Sequence, residues 1–523
     1  MAGASSDLFL GLDLGTSGCK LIAFDGGGRE AARAARSYAV RNPGSGLFEL
    51  DPDEVWAQAE DCFREVDAHA LPGRVATLAI STQGEAIIPI DRAGRALAPA
   101  PISADMRGTA AAADLSARFG VRRLYDMTGQ PVSPIASLPK LMWWREHRPD
   151  IHREAWKFVC FGDFALVRLG LAPVIDPGMA ARTMAYDMTT DAWSSDLLGA
   201  AGLAPEQMSA VMPSGTIVGT VSHEIAARLR LPDHVAVVVG GHDQPMGALG
   251  AGVLDPGVAM YAIGTTEALV VALERPSAAL GALNIPCYPH VIPGRFVGLA
   301  GSQSGARILA WLRHRAADLA SIAAEAGSLD AMLDRLSDAP PTWPLLLPHF
   351  AGSGSVLNDA TSLGAIYGLD FETTGPDLLR ACLEGITLEQ ALGLETLTAA
   401  GVPVETVRAI GGGARSTVWL QMKADILDRP LMRVAVRDAP CLGGAILGRA
   451  AVSPERPIAE IAAEMTATAQ SFAPRPARAR AHAERLALYK DLYLALRPLA
   501  PRLMALRGHE AATMPERRLD EQP

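Results

Sequence analysis

The chain has 523 residues, more than one hydrophobic core usually organises, so two large domains with a cleft between them are expected. With 49% hydrophobic and 20% charged residues it reads as a folded globular enzyme with little room for long disordered segments. A net charge of -10 and a pI near 5.6 argue against nucleic acid or an anionic membrane as the main partner.

Residues 1–7 lack a basic start followed by an apolar run, and no uncharged apolar stretch reaches membrane-spanning length, so a cytoplasmic protein is expected. Residues 8–24, LFLGLDLGTSGCKLIAF, read as two strands joined by a tight turn at Gly15-Thr16-Ser17. An amphipathic helix is predicted over 52–64, a buried strand over 75–81, and a second strand over 87–90 before the turn Asp91-Arg92-Ala93-Gly94. Helices follow over 138–146 and 161–169, and the unbroken apolar run 235–240 predicts a central strand buried on both faces. Residues 258–273, VAMYAIGTTEALVVAL, then repeat the opening pattern, with Gly264-Thr265-Thr266 in the place of Gly15-Thr16-Ser17. Two halves of similar plan are implied. Downstream, 303–337 and 376–400 read as helices, 405–411 as a strand, 414–427 as a helix after a glycine turn, and the charged stretch from 507 as a flexible tail. The expected division is 1–247, 248–455, C-terminal helices over 456–506, and the tail 507–523. Cys19, Cys62, Cys160, Cys287, Cys382 and Cys441 form no Cys-x-x-Cys pair, which predicts reduced, mostly buried thiols.

A single Gly-Thr-Ser corner is an ordinary hairpin turn. Its recurrence at the head of both halves favours a phosphate clamp, in which glycine admits the phosphate close to the backbone and N–H and hydroxyl groups donate to its oxygens. Asp13, just before the first corner, either caps the turn or holds Mg2+. Gly240-Gly241-His242-Asp243-Gln244 follows the central strand, and active sites of open α/β sheets lie beyond the carboxyl ends of strands. Asp243 is there either a helix cap or a catalytic base that accepts the proton of an attacking hydroxyl. His242 has no neighbouring nucleophile to activate and reads as structural. The run Ile410-Gly411-Gly412-Gly413-Ala414-Arg415-Ser416 suits passage of an adenine or ribose over the backbone and lacks the dinucleotide-binding spacing. No Gly-Lys dipeptide occurs, which excludes a P-loop, and the His-Arg-Asp and Asp-Phe-Gly motifs of protein kinases are absent.

In this order, the motifs resemble those of the FGGY carbohydrate kinases over residues 8–455, and most of all the xylulokinase-like branch. That resemblance implies an α/β fold of two ribonuclease-H-like domains, of the actin and hexokinase type, with a cleft between them. It also implies ATP and Mg2+ as cofactors, a small sugar or polyol as substrate, and often a homodimer. Asp243 occupies the place of the family's catalytic base, and Asp13 and Asp243 stand where the metal is held. Ser81-Thr82-Gln83-Gly84-Glu85 is similar to the sugar-contacting Ser-Gly-Gln-Met-His run, with Gly84 and Glu85 replacing Met and His. Ser103-Ala104-Asp105-Met106-Arg107 is similar to Trp-Asn-Asp-x-Arg, matching at the aspartate and arginine. Pro139-Lys140-Leu141-Met142-Trp143 resembles the family's first signature. Gln83, Gly84, Glu85, Asp105, Arg107 and Gln244 are therefore the expected substrate contacts, and the departures point away from xylulose itself. Gly15, Thr16, Ser17, Gly264, Thr265 and Thr266 are the expected phosphate contacts, and Gly412, Gly413, Ala414 and Ser416 the expected adenosine contacts. Two other readings stay open: a kinase of a non-sugar polyol, aldonate or signalling dione, and an actin-like ATP-binding switch without a sugar substrate.

Overall fold

The computed structural model describes residues 7–316 and 342–513. Its first large sheet runs, edge to edge, through Ile217–Thr220, Ala236–His242, Val75–Thr82, Leu8–Leu14, Gly18–Asp25 and Glu30–Ser37. Leu8–Leu14 pairs antiparallel with Gly18–Asp25 around the first corner and parallel with Val75–Thr82, which in turn is parallel to Ala236–His242. The second sheet repeats this plan. Gly257–Ile263 pairs antiparallel with Glu267–Leu273 and parallel with Val404–Ile410, which is parallel to Leu431–Val434. In both, a three-stranded antiparallel meander lies on one side of the central strand and parallel strands on the other. This is the ribonuclease-H-like arrangement, present twice. Every residue of Val75–Thr82 is buried, which is why the parallel strands read as continuous apolar runs.

Local signals start the helices that cover these sheets. Asp51 accepts from the N–H groups of Asp53 and Glu54 at 3.0 and 3.3 Å and opens helix Pro52–Val66, with Pro52 in the first turn. Its apolar face, including Trp56, Ala59, Cys62 and Phe63, packs into the core beneath the first hairpin. A reciprocal cap between Thr374 and Asp377 starts the long buried helix Gly375–Ala399 of the second half.

The two halves meet through backbone. Helix Ala439–Ala451 follows strand Leu431–Val434 of the second sheet in sequence, yet it packs on Leu8–Leu14 and Val75–Thr82 of the first sheet and crosses helix Asp243–Gly250. A Cβ on Gly443 would lie 2.1 Å from the Met246 carbonyl oxygen, and one on Gly250 would lie 1.9 Å from that of Ala439. Only glycine permits so close a crossing. Asp438, just before this helix, binds Lys20 at 2.5 Å and Arg33 at 2.8 Å on the first sheet.

Two expectations need correction. The stretch 456–506 is not helices alone, because Thr468–Phe472 extends the second sheet as an antiparallel edge strand beside Leu431–Val434. Residues 507–513 of the expected tail continue helix Ala500–Thr513, in keeping with the helix propensity of alanine, leucine and arginine. Residues 514–523 lie outside the described residues, as do 317–337 of the helix expected over 303–337, whose described part is Ala306–Ala316. All six cysteines are free and buried. Among the described residues, no helix is long and apolar enough to cross a membrane.

Candidate active site

Three neighbouring parallel strands of the first sheet, Leu8–Leu14, Val75–Thr82 and Ala236–His242, deliver Asp13, Gln83 and Asp243 at or just beyond their carboxyl ends. Asp13 Oδ1 accepts a hydrogen bond from Ser81 Oγ at 2.8 Å. Burial pushes its carboxyl above the ordinary range, and Lys20, its cross-strand partner, pulls against that. Thr16 and Ser17 are exposed at the bend. Gln83 ties the bend in place: its Nε2 donates to the Gly15 carbonyl at 3.2 Å and its Oε1 accepts from Thr16 Oγ1 at 3.2 Å. Tyr38 Oη donates to the same carbonyl at 2.6 Å.

Asp243 is the first residue of helix Asp243–Gly250, and the cap position belongs to His242, whose side chain makes no capping bond. Burial pushes the Asp243 carboxyl up to about 7, and the nearby Asp13 pushes the same way, while Gln244 and Arg182 pull it down. Its Oδ1 is buried and makes no well-aligned hydrogen bond among the described residues, with His242 Nε2 3.1 Å away. Two carboxylates in mutual electrostatic reach offer the oxygen ligands a hard divalent cation takes, and among the described residues no third His, Cys, Asp or Glu joins them as a ligand group. His242 offers no spare base. Its Nδ1 lies 2.9 Å from Tyr288 Oη, its Nε2 lies 3.1 Å from Asp243 Oδ1, and burial drives its pKa well below the usual histidine value.

Beside Asp243 lies a buried polar cluster. A Cβ on Gly84 would lie 2.9 Å from His242 Nε2 and 3.6 Å from Arg182 Nε, so the room left by the missing side chain is already filled. Glu85 holds a left-handed backbone at φ 62°, rare outside glycine, and is 3% exposed. Its Oε2 accepts from Ser103 Oγ at 2.7 Å, and its Oε1 is ion-paired with Arg182 Nη2. Arg182 ends helix Pro177–Arg182, donates from Nη1 to Gln130 Oε1 at 3.0 Å, and lies over the Tyr288 ring at 5.3 Å.

Asp105 and Arg107 are engaged differently. Asp105 Oδ1 accepts from the Arg107 backbone N–H at 3.0 Å and from Arg107 Nε at 2.7 Å. Its Oδ2 accepts from the Phe48 N–H and from Arg107 Nη2, both at 2.8 Å. Arg107 also reaches Glu49 at 2.5 Å and lies 4.8 Å from the Trp143 ring centre. Beneath them, Lys140 donates to the carbonyls of Ile102 and Ile135 at 2.8 and 2.6 Å, and burial brings its amine down to about 7. In this structure these groups saturate one another and fix the loop that carries Ser103.

In the second half, Gly264 N–H bonds the Thr266 carbonyl at 3.1 Å to close the second corner, leaving Thr265 and Thr266 exposed. Under it, Lys423 Nζ donates to both oxygens of Glu267, at 2.9 and 3.0 Å, and to Tyr261 Oη at 2.7 Å. Across the central strand, Gly411 leaves Val404–Ile410 with φ 91° and the chain makes a short turn, Gly412–Arg415, before helix Thr417–Leu427. Gly412 is exposed, with nothing within 4 Å of its Cβ position. Gly413 is pressed against Ile263 and Trp419, Ala414 is buried, and Ser416 Oγ caps the helix by accepting from Trp419 N–H at 3.2 Å.

Arg182, Gln130, Tyr288 and Ser103 were not singled out from the sequence as site residues. Arg182 sits in Met-Ala-Ala-Arg-Thr-Met-Ala, where an arginine among small and apolar residues was the one available signal.

Two family models match, FGGY family of carbohydrate kinases, N-terminal domain, over residues 8–250, and the C-terminal domain over 259–452. A xylulose kinase of Escherichia coli is 30% identical over 498 residues, covering 94% of this chain and 100% of that protein. A gluconokinase of Bacillus subtilis is 26% identical over 445 residues, covering 84% and 86%. Among solved structures, a xylulose kinase from Rhodospirillum rubrum superimposes with a TM-score of 0.83 at 25% identity, covering 94% of this chain and 99% of that one. A gluconate kinase from Lactobacillus acidophilus shares the fold, with a TM-score of 0.86 at 21% identity over 95% of this chain and 100% of its own. With both halves matched by their models and the relatives covered almost end to end, the chain belongs to the FGGY family of carbohydrate kinases.

Proposed function

We propose that this protein transfers the γ-phosphoryl group of ATP to a hydroxyl of a small ketose or alditol, with Asp243 as the general base. The observation that supports the reading is the buried Asp243 carboxyl at the meeting of three strand ends, pushed up to about 7 by burial, beside the first corner and within the field of Asp13 and Arg182. ATP as phosphate donor comes with the family.

Phosphoryl transfer asks mostly for positioning and charge stabilisation. The N–H and hydroxyl groups of Gly15, Thr16, Ser17, Gly264, Thr265 and Thr266 orient the phosphates, and the open backbone at Gly412 takes the adenosine. Asp13 and Asp243 would hold Mg2+, which supplies neutralisation of phosphate charge when bound. Glu85, Gln244 and the groups around them orient the acceptor, and the Asp243 carboxylate accepts the hydroxyl proton as the bond to phosphorus forms. Asp105 and Arg107 hold the loop behind this pocket. Closure of the halves excludes water and limits wasteful ATP hydrolysis.

The test is ADP release in Mg2+ and ATP across pentuloses, hexuloses, pentitols, erythritol, glycerol and gluconate. Release that depends on a ketose or alditol is expected. Equal release with and without every compound would favour an ATP-binding switch instead.

A further inference from the structure

We propose that Arg182 and Gln130 are substrate contacts, and that the Glu85–Arg182 ion pair makes the pocket select neutral polyhydroxy compounds over aldonates. The inference rests on the kinase reading above and narrows it to a substrate class.

Unsatisfied atoms define the pocket. Arg182 Nε, Gln130 Nε2 and Gln244 Oε1 are buried and have no hydrogen-bond partner among the described residues. Gln130 is 4% exposed and Arg182 8%. Their side chains already touch one another at 3.0 Å, and Arg182 feels the Asp243 charge. A buried polar atom without a partner is costly, so Arg182 Nε and Gln130 Nε2 side by side mark a site whose partner arrives from outside. Both are donors, and the Asp243 carboxylate in the field of Arg182 is an acceptor. A vicinal diol or ketol matches such a set, because each hydroxyl gives one hydrogen bond and accepts others.

Charge then decides between ligands of that shape. Among the described residues, Arg182 supplies the positive charge of this cluster, Glu85, Asp243 and Asp13 the negative ones, and Asp176, its carboxyl pushed up to about 7 by burial, acts on Tyr288. His242 and Tyr288, the other titratable neighbours, are uncharged near neutrality. Glu85 is bound to Arg182 directly and held from its other oxygen by Ser103, so the guanidinium is already neutralised. A hydroxyl or keto oxygen accepts from Arg182 Nε without disturbing that pair. A carboxylate must either displace Glu85 or lie among three carboxylates. Arg107, the other arginine of the region, is taken up by Asp105 and Glu49 and offers an anion nothing.

The experiment measures kcat/KM for a ketopentose, a pentitol and gluconate, and calorimetric binding of the same three without ATP. Wild type, Glu85→Gln, Arg182→Met, Gln130→Leu and the double variant Glu85→Gln with Arg182→Gln are compared. Wild type is expected to favour the neutral compounds by about a hundredfold. Glu85→Gln, which leaves Arg182 without its counter-charge, should shift the ratio toward gluconate by about tenfold or more. The double variant restores the neutral preference, which separates charge from folding. Arg182→Met and Gln130→Leu should raise KM for the neutral compounds more than they lower kcat. Gluconate preferred by wild type, or an unchanged ratio in folded Glu85→Gln, would overturn the inference. Polyol binding with the predicted ratios but no polyol-dependent ADP release would sink the kinase reading and leave this one standing.

Discussion

Gly15-Thr16-Ser17 and Gly264-Thr265-Thr266 close matching hairpins, and the residues beneath them differ in kind. Two positions before the glycine, the first hairpin carries Asp13 and the second Ala262. Under the first bend, Lys20 is 44% exposed in its side chain and reaches across to Asp438 of the other half. Under the second, the side chains of Lys423 and Glu267 are both fully buried and bonded to Tyr261. Topology thus supplies the phosphate corner in both halves, while single residues on the strand assign the chemistry. The half with the carboxylate keeps a cation near its surface, tied to the partner half. The half without one is sealed by a buried ion pair into a rigid platform.

Unequal substitution breaks this comparison most sharply. Asp13→Asn is expected to lower kcat by about a hundredfold and raise the Mg2+ needed, whereas Ala262→Ser changes either by no more than about threefold. Steady-state rates over a Mg2+ titration measure both, and equal losses would erase the distinction. Stability gives the next largest contrast. Lys423→Met leaves Glu267 buried without its cation and should cost about 3–5 kcal/mol in denaturant unfolding. Lys20→Met removes a half-exposed pair and should cost at most about 1 kcal/mol.

The pH dependences follow from the same burial. The Asp243 carboxyl, which burial holds above the ordinary range, must be ionised to take a proton, so kcat/KM is expected to fall on acidification. His290 and His482 have folded pKa values of about 4, below the ordinary 6.5. As pH falls, the unfolded chain takes up protons first, so stability present above about 6.5 is progressively lost toward about 4. Asp163, Asp176 and Asp243, each raised to about 7 by burial, push the other way, so thermal unfolding of wild type against His290→Gln and His482→Gln over this pH range isolates the histidines, and a wild-type advantage that grows on acidification would contradict the sign.

Much of the fold was legible because its signals are local. Apolar runs mark the buried parallel strands, Asp51 and Pro52 mark a helix start, and the repeated corner marks the duplication. Asp243 was legible from its place after a central strand. Arg182, Gln130 and Tyr288 were not, because they come from three distant segments and meet only in the folded chain. The same holds for Asp105 and Arg107: their types suggested ligand contacts, but their saturation needs Glu49 and the Phe48 N–H from another strand. Ser416 and Gln83 show the milder form of this, since a cap and a brace occupy polar groups that the motif alone leaves open.

The central claim is that the Asp243 carboxylate takes the acceptor's proton, and Asp243→Asn tests it most directly. Polyol-dependent ADP release should fall by at least about a hundredfold while ATP binding and the circular dichroism spectrum stay as in wild type. Turnover within about threefold of wild type in that variant would contradict the account.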